Sequence, residues 1–382
     1  MKHKGIYLIT EPGCLDTDSG ANHHIRTGFS QLSQQFEILF FIRDSKADLR
    51  SSDHSLNTSS LNSSKTILNK GSILKGSIID LITLFKNLFY IFKLVNNLKN
   101  EKASFIYERK AYLNPTGLIA AKILKIPHFY EANGLQFQRM EKYYSSFFNP
   151  MTRILEKWTY SFSDHVFFVG TYGNYWKLKS KNWSNIENGI EDTHLKYFDK
   201  HSKVFEDDIH ICFIARLMSH HRQEILIQCL QSVANKNIHL HLIGSGLEEI
   251  EEALGNIIKV TNYGYKDREA IKPILKMMHI GIIPGSPEFT STMKIFDYGS
   301  AKCAVIGPDI TNFKFWFSDK IAFFKKNDAT DFARVLNVLL KDKTLVIGYG
   351  VKIFQHISEN FTWNKVYEKV TCKMIVEIDK TK

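Results

Sequence analysis

The chain has 382 residues, 44% of them hydrophobic, and a formal charge of +11 at pH 7. This length exceeds that of one ordinary domain, so two domains of roughly 150–200 residues are expected. The positive charge is mostly lysine dispersed among apolar residues, without an arginine-rich tract, a zinc-finger pattern or an aromatic RNA-binding motif. Nucleic acid is therefore not expected as a partner.

The start of the chain and its cysteines indicate an intracellular location. The first ten residues lead directly into a strand-like segment without the apolar core of a signal peptide, and no apolar run reaches the ~18–20 residues of a membrane span. The five cysteines are scattered and form no CxxC pair, which is typical of reduced thiols rather than of a disulfide framework or a zinc ribbon. A cytoplasmic protein is expected.

Strands and helices alternate along the first half of the chain. The strands are predicted at 5–10, 37–42, 104–108, 128–131 and 165–169, and the helices at 21–35, 70–102, 116–124 and 150–163. Residues 44–66 are rich in Ser and Asn and predict a mobile loop. Alternation of this kind builds a parallel sheet covered by helices on both faces.

The helix predicted over 70–102 is unusually apolar. Its large hydrophobic residues are punctuated by Lys75, Lys86, Lys93 and Lys99. The pattern fits an amphipathic helix packed on a sheet. It also fits a basic helix on an anionic membrane surface, because the apolar content exceeds what one buried face requires. Both interpretations remain open from the sequence.

The alternation of strands and helices restarts near residue 208, after a junction at 186–205. Strands are predicted at 208–215, 239–243, 257–261, 280–283, 304–306 and 321–324, and helices at 223–234, 247–254, 268–278 and 329–340. Two consecutive doubly wound units predict an α/β protein with a cleft between domains, where the carboxyl ends of both sheets face each other.

Arg216 is a candidate phosphate ligand because it ends the predicted strand ICFIAR and is followed by the basic cluster 220–222. An arginine beside a helix amino terminus can hold a diphosphate through charge-assisted hydrogen bonds. A simple surface arginine is the alternative. Gly244 and Gly246, after the next strand, let the backbone approach a ligand closely. Asn188 and Gly189 form either an ordinary turn or part of a site at the domain junction.

The segment 284–302, PGSPEFTSTMKIFDYGSAK, gathers polar groups where a strand gives way to a helix. The hydroxyl groups of Thr290, Ser291 and Thr292 and the free backbone amides suit phosphate oxygens. Lys294 supplies a positive charge, and the carboxylate of Asp297 can accept two hydrogen bonds from a ribose diol. A solvated loop would explain any one of these residues, but it would not explain why all of them occur together.

These motifs resemble, in order and spacing, the retaining GT-B glycosyltransferases of family 4. The resemblance is carried by NGIE at 188–191, ARL at 215–217, LIGSG at 242–246, YGY at 263–265 and the segment 284–302, with YER at 107–109, EANG at 131–134 and FTW at 361–363. It implies a GT-B fold of two doubly wound Rossmann-like domains with an interdomain cleft. The acceptor domain would span 1–190, the nucleotide-sugar domain 191–360, and a final helix at 361–382 would pack back on the first domain.

The resemblance also implies roles for single residues on the donor side. Arg216 would contact the donor diphosphate, Asp297 the ribose, Glu288 the donor sugar or phosphate, and residues 290–292 the phosphate oxygens. Three departures from the family stand out: Asp297 is an aspartate, it lies nine rather than eight positions after Glu288, and His221 or Arg222 replaces a lysine.

Further donor and acceptor positions follow from the same resemblance. Tyr265 would lie by the nucleobase and Gly20 beside the phosphates. Asn133 occupies a segment where relatives often present a histidine or an aspartate, and His23 and His24 are candidate acceptor residues. The general base stays unassigned, because a leaving phosphate oxygen can itself accept the proton.

No metal or other cofactor is expected. Asp16 and Asp18 spell a DxD motif, but it lies in the first loop rather than after a strand in the middle of a domain. The histidine pairs 23–24, 220–221 and 239/241 lack ligand partners at suitable sequence spacing, so they are predicted to be solvated or hydrogen-bonded.

The predicted function is transfer of a sugar, with retention, from a nucleotide diphosphate sugar to a glycan or lipid-linked saccharide in bacterial surface polysaccharide synthesis. Arg216, Lys294 and Glu288 are the expected catalytic residues, and contact with the inner membrane surface is one of the two interpretations left open for the helix at 70–102. Two alternatives are a degenerate sugar-nucleotide-binding subunit of a polysaccharide assembly complex and a nucleotide-sugar epimerase. The epimerase would need acid and base groups that the sequence does not reveal.

Overall fold

The structure is a computed structural model that describes residues 2–11, 15, 20–43, 73–109, 111–138, 145–179, 182–205, 207–233 and 237–381. The chain forms two compact units, one of Met1–Glu187 with Val366–Lys382 and one of Asn188–Lys365. The loop predicted at 44–66 lies outside the described residues. Each unit contains one six-stranded parallel sheet, which confirms the predicted doubly wound α/β class.

The first unit has the strand order β2-β1-β3-β4-β5-β6. Its strands are β1 (Lys4–Ile9), β2 (Glu37–Ile42), β3 (Phe105–Arg109), β4 (His128–Ala132), β5 (His165–Val169) and β6 (Trp183–Ile186). Its helices are α1 (Gly20–Gln35), α2 (Ile73–Asn100), α3 (Thr116–Leu124), α4 (Asn149–Phe162) and α5 (Tyr172–Trp176). Strands β3, β4 and β5 are buried over their whole length, as expected for the centre of a sheet with helices on both faces.

The second unit has the strand order β12-β11-β10-β7-β8-β9. Its strands are β7 (Ile209–Arg216), β8 (Ile238–Ser245), β9 (Lys259–Asn262), β10 (Ile280–Ile282), β11 (Ala304–Pro308) and β12 (Ala322–Phe324). The helices are α6 (Asp192–Asp199), α7 (Gln223–Ser232), α8 (Glu248–Leu254), α9 (Arg268–Met277), α10 (Met293–Ser300), α11 (Thr311–Phe317), α12 (Ala329–Lys341) and α13 (Lys343–Asn360). A last helix, α14 (Trp363–Asp379), begins here, and the chain rejoins the first unit from residue 366.

Four cysteines lie in the described part of the chain. They form no disulfide with one another, and three of them are buried. Among the helices of the described residues, none is both long enough and apolar enough to span a bilayer.

Helix α2 turns polar groups toward the protein and large apolar groups away from it. Its inner face carries Asp80, which accepts a hydrogen bond from the Tyr112 hydroxyl at 3.1 Å, and Asn87, whose amide donates to the Leu113 carbonyl at 2.5 Å. Tyr90, Leu94 and Leu98 complete that face and pack against β1 and β3. The opposite face exposes eight large hydrophobic side chains: Leu74, Ile78, Leu81, Ile82, Phe85, Leu88, Phe89 and Phe92. We call this set the outer face of α2.

Gly244, near the end of β8, lies where only glycine fits. Its φ is +136°, and a Cβ there would lie 1.8 Å from the carbonyl oxygen of Ala215 on β7. Its amide donates to the carbonyl of Gly264 at 2.8 Å. This close approach lets the carboxyl ends of β7 and β8 stay together, so the glycine predicted for ligand approach has a structural function as well.

Replacing Gly244 by alanine is expected to lower the free energy of unfolding by about 2–4 kcal/mol, from positive φ and backbone overlap together. Gly264→Ala is the matched control, because Gly264 has φ +62° but no heavy atom within 4 Å of the position that a Cβ would occupy. It should cost only about 1–2 kcal/mol. Urea denaturation of both variants measures the difference, and equal losses would contradict the overlap argument.

Candidate functional site

The loops that follow β10, β7 and β8 meet at one edge of the second sheet, because these three strands are neighbours and run parallel. Arg216 ends β7 with an exposed side chain and lies in register with Ser245 of β8. Gly246 follows with φ +76°. Ligands of open α/β sheets bind at this carboxyl edge, so Arg216 and the Gly244–Gly246 turn lie where the sequence predicts a site.

Tyr298 fixes α10 against the two central strands of this edge. Its buried hydroxyl accepts the amide hydrogen of Ile214 at 2.8 Å and donates to the carbonyl of Ile282 at 3.4 Å. Its ring lies against Gly281, where a Cβ would come within 2.2 Å of the ring. Helix α10 carries Lys294 and Asp297, so this anchor determines where both side chains lie.

Lys294 is held in an environment that disfavours its charge. Its ammonium nitrogen lies 5.4 Å from the centre of the Phe213 ring. Burial lowers the pKa of Lys294 to about 7, although the nearby carboxylate of Asp297 favours the charged form. Burial and the charge of Lys294 also lower the pKa of His221 to about 3, so His221 is neutral at pH 7. When an anion binds nearby, Lys294 readily takes up a proton and becomes positively charged, so it is suited to phosphate binding.

Asp297 is paired with Arg268, a residue that the sequence reasoning missed. Nη2 of Arg268 lies 3.4 Å from Oδ1 of Asp297, and Nη1 lies 3.7 Å from Oε1 of Glu191. The same Glu191 oxygen accepts from the Trp363 indole at 3.2 Å. Arg268 is the first residue of α9, where a positive charge opposes the helix dipole. This unusual placement is the feature of the sequence that could have indicated a role for Arg268.

The loop between β10 and α10 is tied down by its own hydroxyl groups. Ser291 accepts a hydrogen bond from the Asn188 side-chain amide at 2.5 Å, which joins two of the predicted donor residues. Ser286 and Thr292 share a hydrogen bond of 3.3 Å, and the Thr290 amide closes a turn on Pro287 at 3.3 Å. This segment is therefore shaped before any ligand contacts it.

Arg222 adds a second cation beside the same loop. It has φ +55°, and its Nε lies 2.6 Å from Oε1 of Glu224. A Cβ at Gly285 would approach the Arg222 side chain to 2.4 Å, so the loop passes directly over this arginine. Tyr265 lies in the turn after β9 with most of its side chain in solvent.

Glu288 points its carboxylate at the start of α11. It accepts from the amide of Thr311 at 2.9 Å and from the Thr311 hydroxyl at 2.6 Å, and it pairs with Lys326 at 2.6 Å. These contacts lower the pKa of Glu288, although partial burial acts in the opposite direction. Its carboxylate thus secures the loop, and its contact with a donor sugar stays a prediction.

The candidate acceptor residues of the first unit converge on one buried carboxylate. Glu131 accepts hydrogen bonds from Asn133 at 2.8 Å and from the Tyr107 hydroxyl at 2.7 Å, pairs with Arg109, and lies 3.3 Å from Nε2 of His24. Burial alone would raise the pKa of Glu131, but His24 and Arg109 hold it well below its usual range. The sequence supplied His24 and Asn133 but not Glu131 as their common centre.

Two other predicted positions of the first unit lie at the start of α1. Gly20 begins α1 and His23 lies in its first turn. The DxD motif at Asp16 and Asp18 lies outside the described residues.

The fold is that of a two-unit α/β protein with one doubly wound sheet in each unit, and comparison with solved structures agrees. A glycosyltransferase from Rickettsia africae ESF-5 superposes with a TM-score of 0.70 at 12% identity, over 100% of both chains. Sucrose-phosphate synthase from Thermosynechococcus elongatus gives 0.70 at 12% identity, over 98% of this chain and 100% of its own. Anabaena HepE in complex with UDP-glucose gives 0.65 at 11% identity, over 98% and 99%. Likeness at this identity establishes the GT-B fold.

The second unit has a sequence match of its own. Residues 196–349 match the family described as Glycosyl transferases group 1. The second unit therefore carries a glycosyltransferase domain of the group 1 type, and the chain is a glycosyltransferase. No curated protein matches the sequence of the chain.

Proposed function

We propose that this enzyme transfers a sugar, with retention of anomeric configuration, from a nucleotide diphosphate sugar to a glycan or lipid-linked saccharide. The observation that carries the donor assignment is the group of Arg216, Lys294 and the structured loop 283–292 at the carboxyl edge of the second sheet. The complex of HepE, which has the same fold, contains UDP-glucose and supports a donor of this chemical class.

The proposed reaction breaks the bond between the anomeric carbon and the diphosphate oxygen. A bond from the acceptor oxygen to the anomeric carbon forms on the same face, and the acceptor proton passes to the departing phosphate oxygen. Negative charge grows on the diphosphate during this step, and Arg216 and Lys294 offset it. Charge compensation by side chains and backbone amides lets the transfer proceed without a metal ion.

The remaining donor residues hold the nucleotide. Asp297, steadied by Arg268, accepts hydrogen bonds from the ribose diol while Tyr265 lies by the base. The hydroxyl groups of residues 290–292 meet phosphate oxygens, and Glu288 keeps their loop in place through Thr311 and Lys326. On the acceptor side, the Glu131 network orients His24 and Asn133.

The test incubates the purified chain with a panel of nucleotide sugars, with and without bacterial membrane extract, and measures release of the nucleoside diphosphate. Retention is read from the anomeric proton of the glycoside product by NMR. Arg216→Ala should lower turnover about 100-fold or more, because a charge-assisted contact made in the transition state is lost. Arg334→Ala is the control, since that exposed arginine pairs with Asp331 on α12.

Each outcome of this experiment decides between the candidate functions. Binding of a donor without turnover in any extract would favour the sugar-nucleotide-binding subunit. A chain that neither binds nor turns over any donor would overturn both interpretations. An Arg216→Ala variant with unaltered turnover would remove the diphosphate role of Arg216.

The lowered pKa of Lys294 gives a separate pH prediction. A bound diphosphate raises this pKa, so the complex holds one more proton than the free enzyme between the two values. Affinity for UDP should therefore be full below pH 7 and fall as pH rises above 7, by up to about tenfold per pH unit. Calorimetric titration at about pH 7.5–8.5 measures it, because the terminal phosphate of UDP is then almost fully ionised and its uracil ring is still neutral.

Lys294→Arg is the matched variant for that titration. Arginine stays charged over this range, so its affinity for UDP should be nearly independent of pH. If the affinity for UDP fell equally with pH in the wild-type protein and in Lys294→Arg, a group other than Lys294 would be responsible.

We also propose that the outer face of α2 contacts the cytoplasmic surface of the membrane, which would bring a lipid-linked acceptor to the enzyme. Phe89 and Phe92 are 71% and 77% exposed, and no acidic residue shares their face, since Asp80 is turned inward. At 100° per residue, Lys75, Lys86 and Lys93 all line one edge of that face. Exposed apolar groups beside a row of lysines complement an anionic bilayer.

Flotation with vesicles that contain phosphatidylglycerol tests the membrane proposal. Phe89→Ser/Phe92→Ser should weaken binding by roughly tenfold or more, because apolar area that enters the bilayer is lost. Replacing the three lysines by glutamine should weaken it by about fivefold per charge at low salt. Phe315→Ser is the control, as Phe315 is an exposed phenylalanine of the second unit. A chain that ignores vesicles but dimerises through Phe89 and Phe92 would show a protein interface instead.

A further inference from the structure

Three histidines meet on one face of the second sheet, although their spacing along the chain is not that of metal ligands. His210 on β7 lies in register with His239 on β8, and His241 follows two residues later on the same face. One ring nitrogen of each lies within 4.8 Å of the other two. The pairing of two strands, rather than spacing along the chain, creates the cluster.

In two of these rings, one nitrogen forms a hydrogen bond with a hydroxyl group. Nε2 of His239 is 2.8 Å from the Thr261 hydroxyl, and Nδ1 of His241 is 3.0 Å from the Tyr263 hydroxyl. Histidines that bind metal ions normally bond their second nitrogen to an oxygen in this way, which sets the tautomer and the ring orientation. Here it directs Nδ1 of His239 and Nε2 of His241 as lone-pair donors.

The other nitrogens of these two rings, Nδ1 of His239 and Nε2 of His241, are the candidate metal ligands. Nδ1 of His239 is buried and has no hydrogen-bond partner among the described residues. Nε2 of His241 lies 2.8 Å from Nδ1 of His210, and one proton bridges that pair.

We propose that His210, His239 and His241 form a binding site for a divalent transition metal ion of the Zn²⁺ type. Three imidazole nitrogens are a preferred donor set for such an ion, with water as the fourth ligand. On binding, the ring of His210 changes tautomer: the proton shared with His241 leaves Nδ1, and Nε2 carries one instead. The neighbouring His279 is not part of the site, because its nitrogens already bond the His210 amide and the Val204 carbonyl.

This site is separate from the donor edge. His210 is near the start of β7 and Arg216 is at its end, six residues or about 20 Å away. The ion would therefore join β7 to β8 at their amino ends and take no part in sugar transfer. The proposal of a metal site goes beyond the proposed sugar transfer and does not depend on it.

Calorimetric titration of the metal-stripped chain with Zn²⁺ tests the site. One ion should bind, His239→Ala should weaken binding by about 100-fold or more, and Thr261→Val should weaken it about 10–100-fold while leaving all three imidazoles. His220→Ala/His221→Ala is the control, since that histidine pair is elsewhere on the unit. X-ray absorption of the wild-type complex should show three imidazole nitrogens at about 2.0–2.1 Å and needs no variant.

The proposal is overturned if the wild-type chain binds no Zn²⁺, if His239→Ala and Thr261→Val leave binding unchanged, or if only the His220→Ala/His221→Ala variant loses it. Absorption spectra without histidine ligands would overturn it as well. UDP affinity serves as the independent readout: it should be unchanged by His239→Ala whether or not the transfer proposal holds.

Discussion

The Tyr298 hydroxyl is the contact on which the donor edge depends. The ladder between β7 and β10 ends at Cys212 and Gly281, and beyond that point Tyr298 satisfies the amide of Ile214 and reaches the carbonyl of Ile282. A buried backbone amide without such a partner would be costly, so the tyrosine both completes the sheet and fixes α10. Without Tyr298, the helix that carries Lys294 and Asp297 would lose its hydrogen bonds to the backbone of β7 and β10.

Much of the fold could be predicted because most strands are continuous apolar runs between turn residues. The predicted bounds agree with the structure for β2 (Glu37–Ile42), α3 (Thr116–Leu124) and β5 (His165–Val169). Strand β6 was missed because Ser184 and Asn185 make half of its four residues polar, which an edge strand tolerates. The two faces of α2 were visible as a pattern, but the inward face is determined by Tyr112 and Leu113, which come later in the chain.

The candidate site divides in the same way. Residues that are close in sequence, such as 290–297, could be proposed together because one segment carries them. Partners from distant segments could not: Arg268 meets Asp297, Glu288 meets Lys326, and His210 meets His239 only after the chain has folded. Those contacts depend on strand register and helix placement, which composition and spacing do not encode. They also give Glu288 a structural role, through Thr311 and Lys326, that the sequence did not predict.

The nesting of the second unit within the first has a consequence for synthesis. The hydroxyl of Tyr367 lies 3.3 Å from Glu131 and 3.4 Å from His24, so a residue translated after the entire second unit completes a buried network of the first. The first unit therefore has its full sequence only after the whole second unit has been translated. The Glu131 network cannot be completed before then.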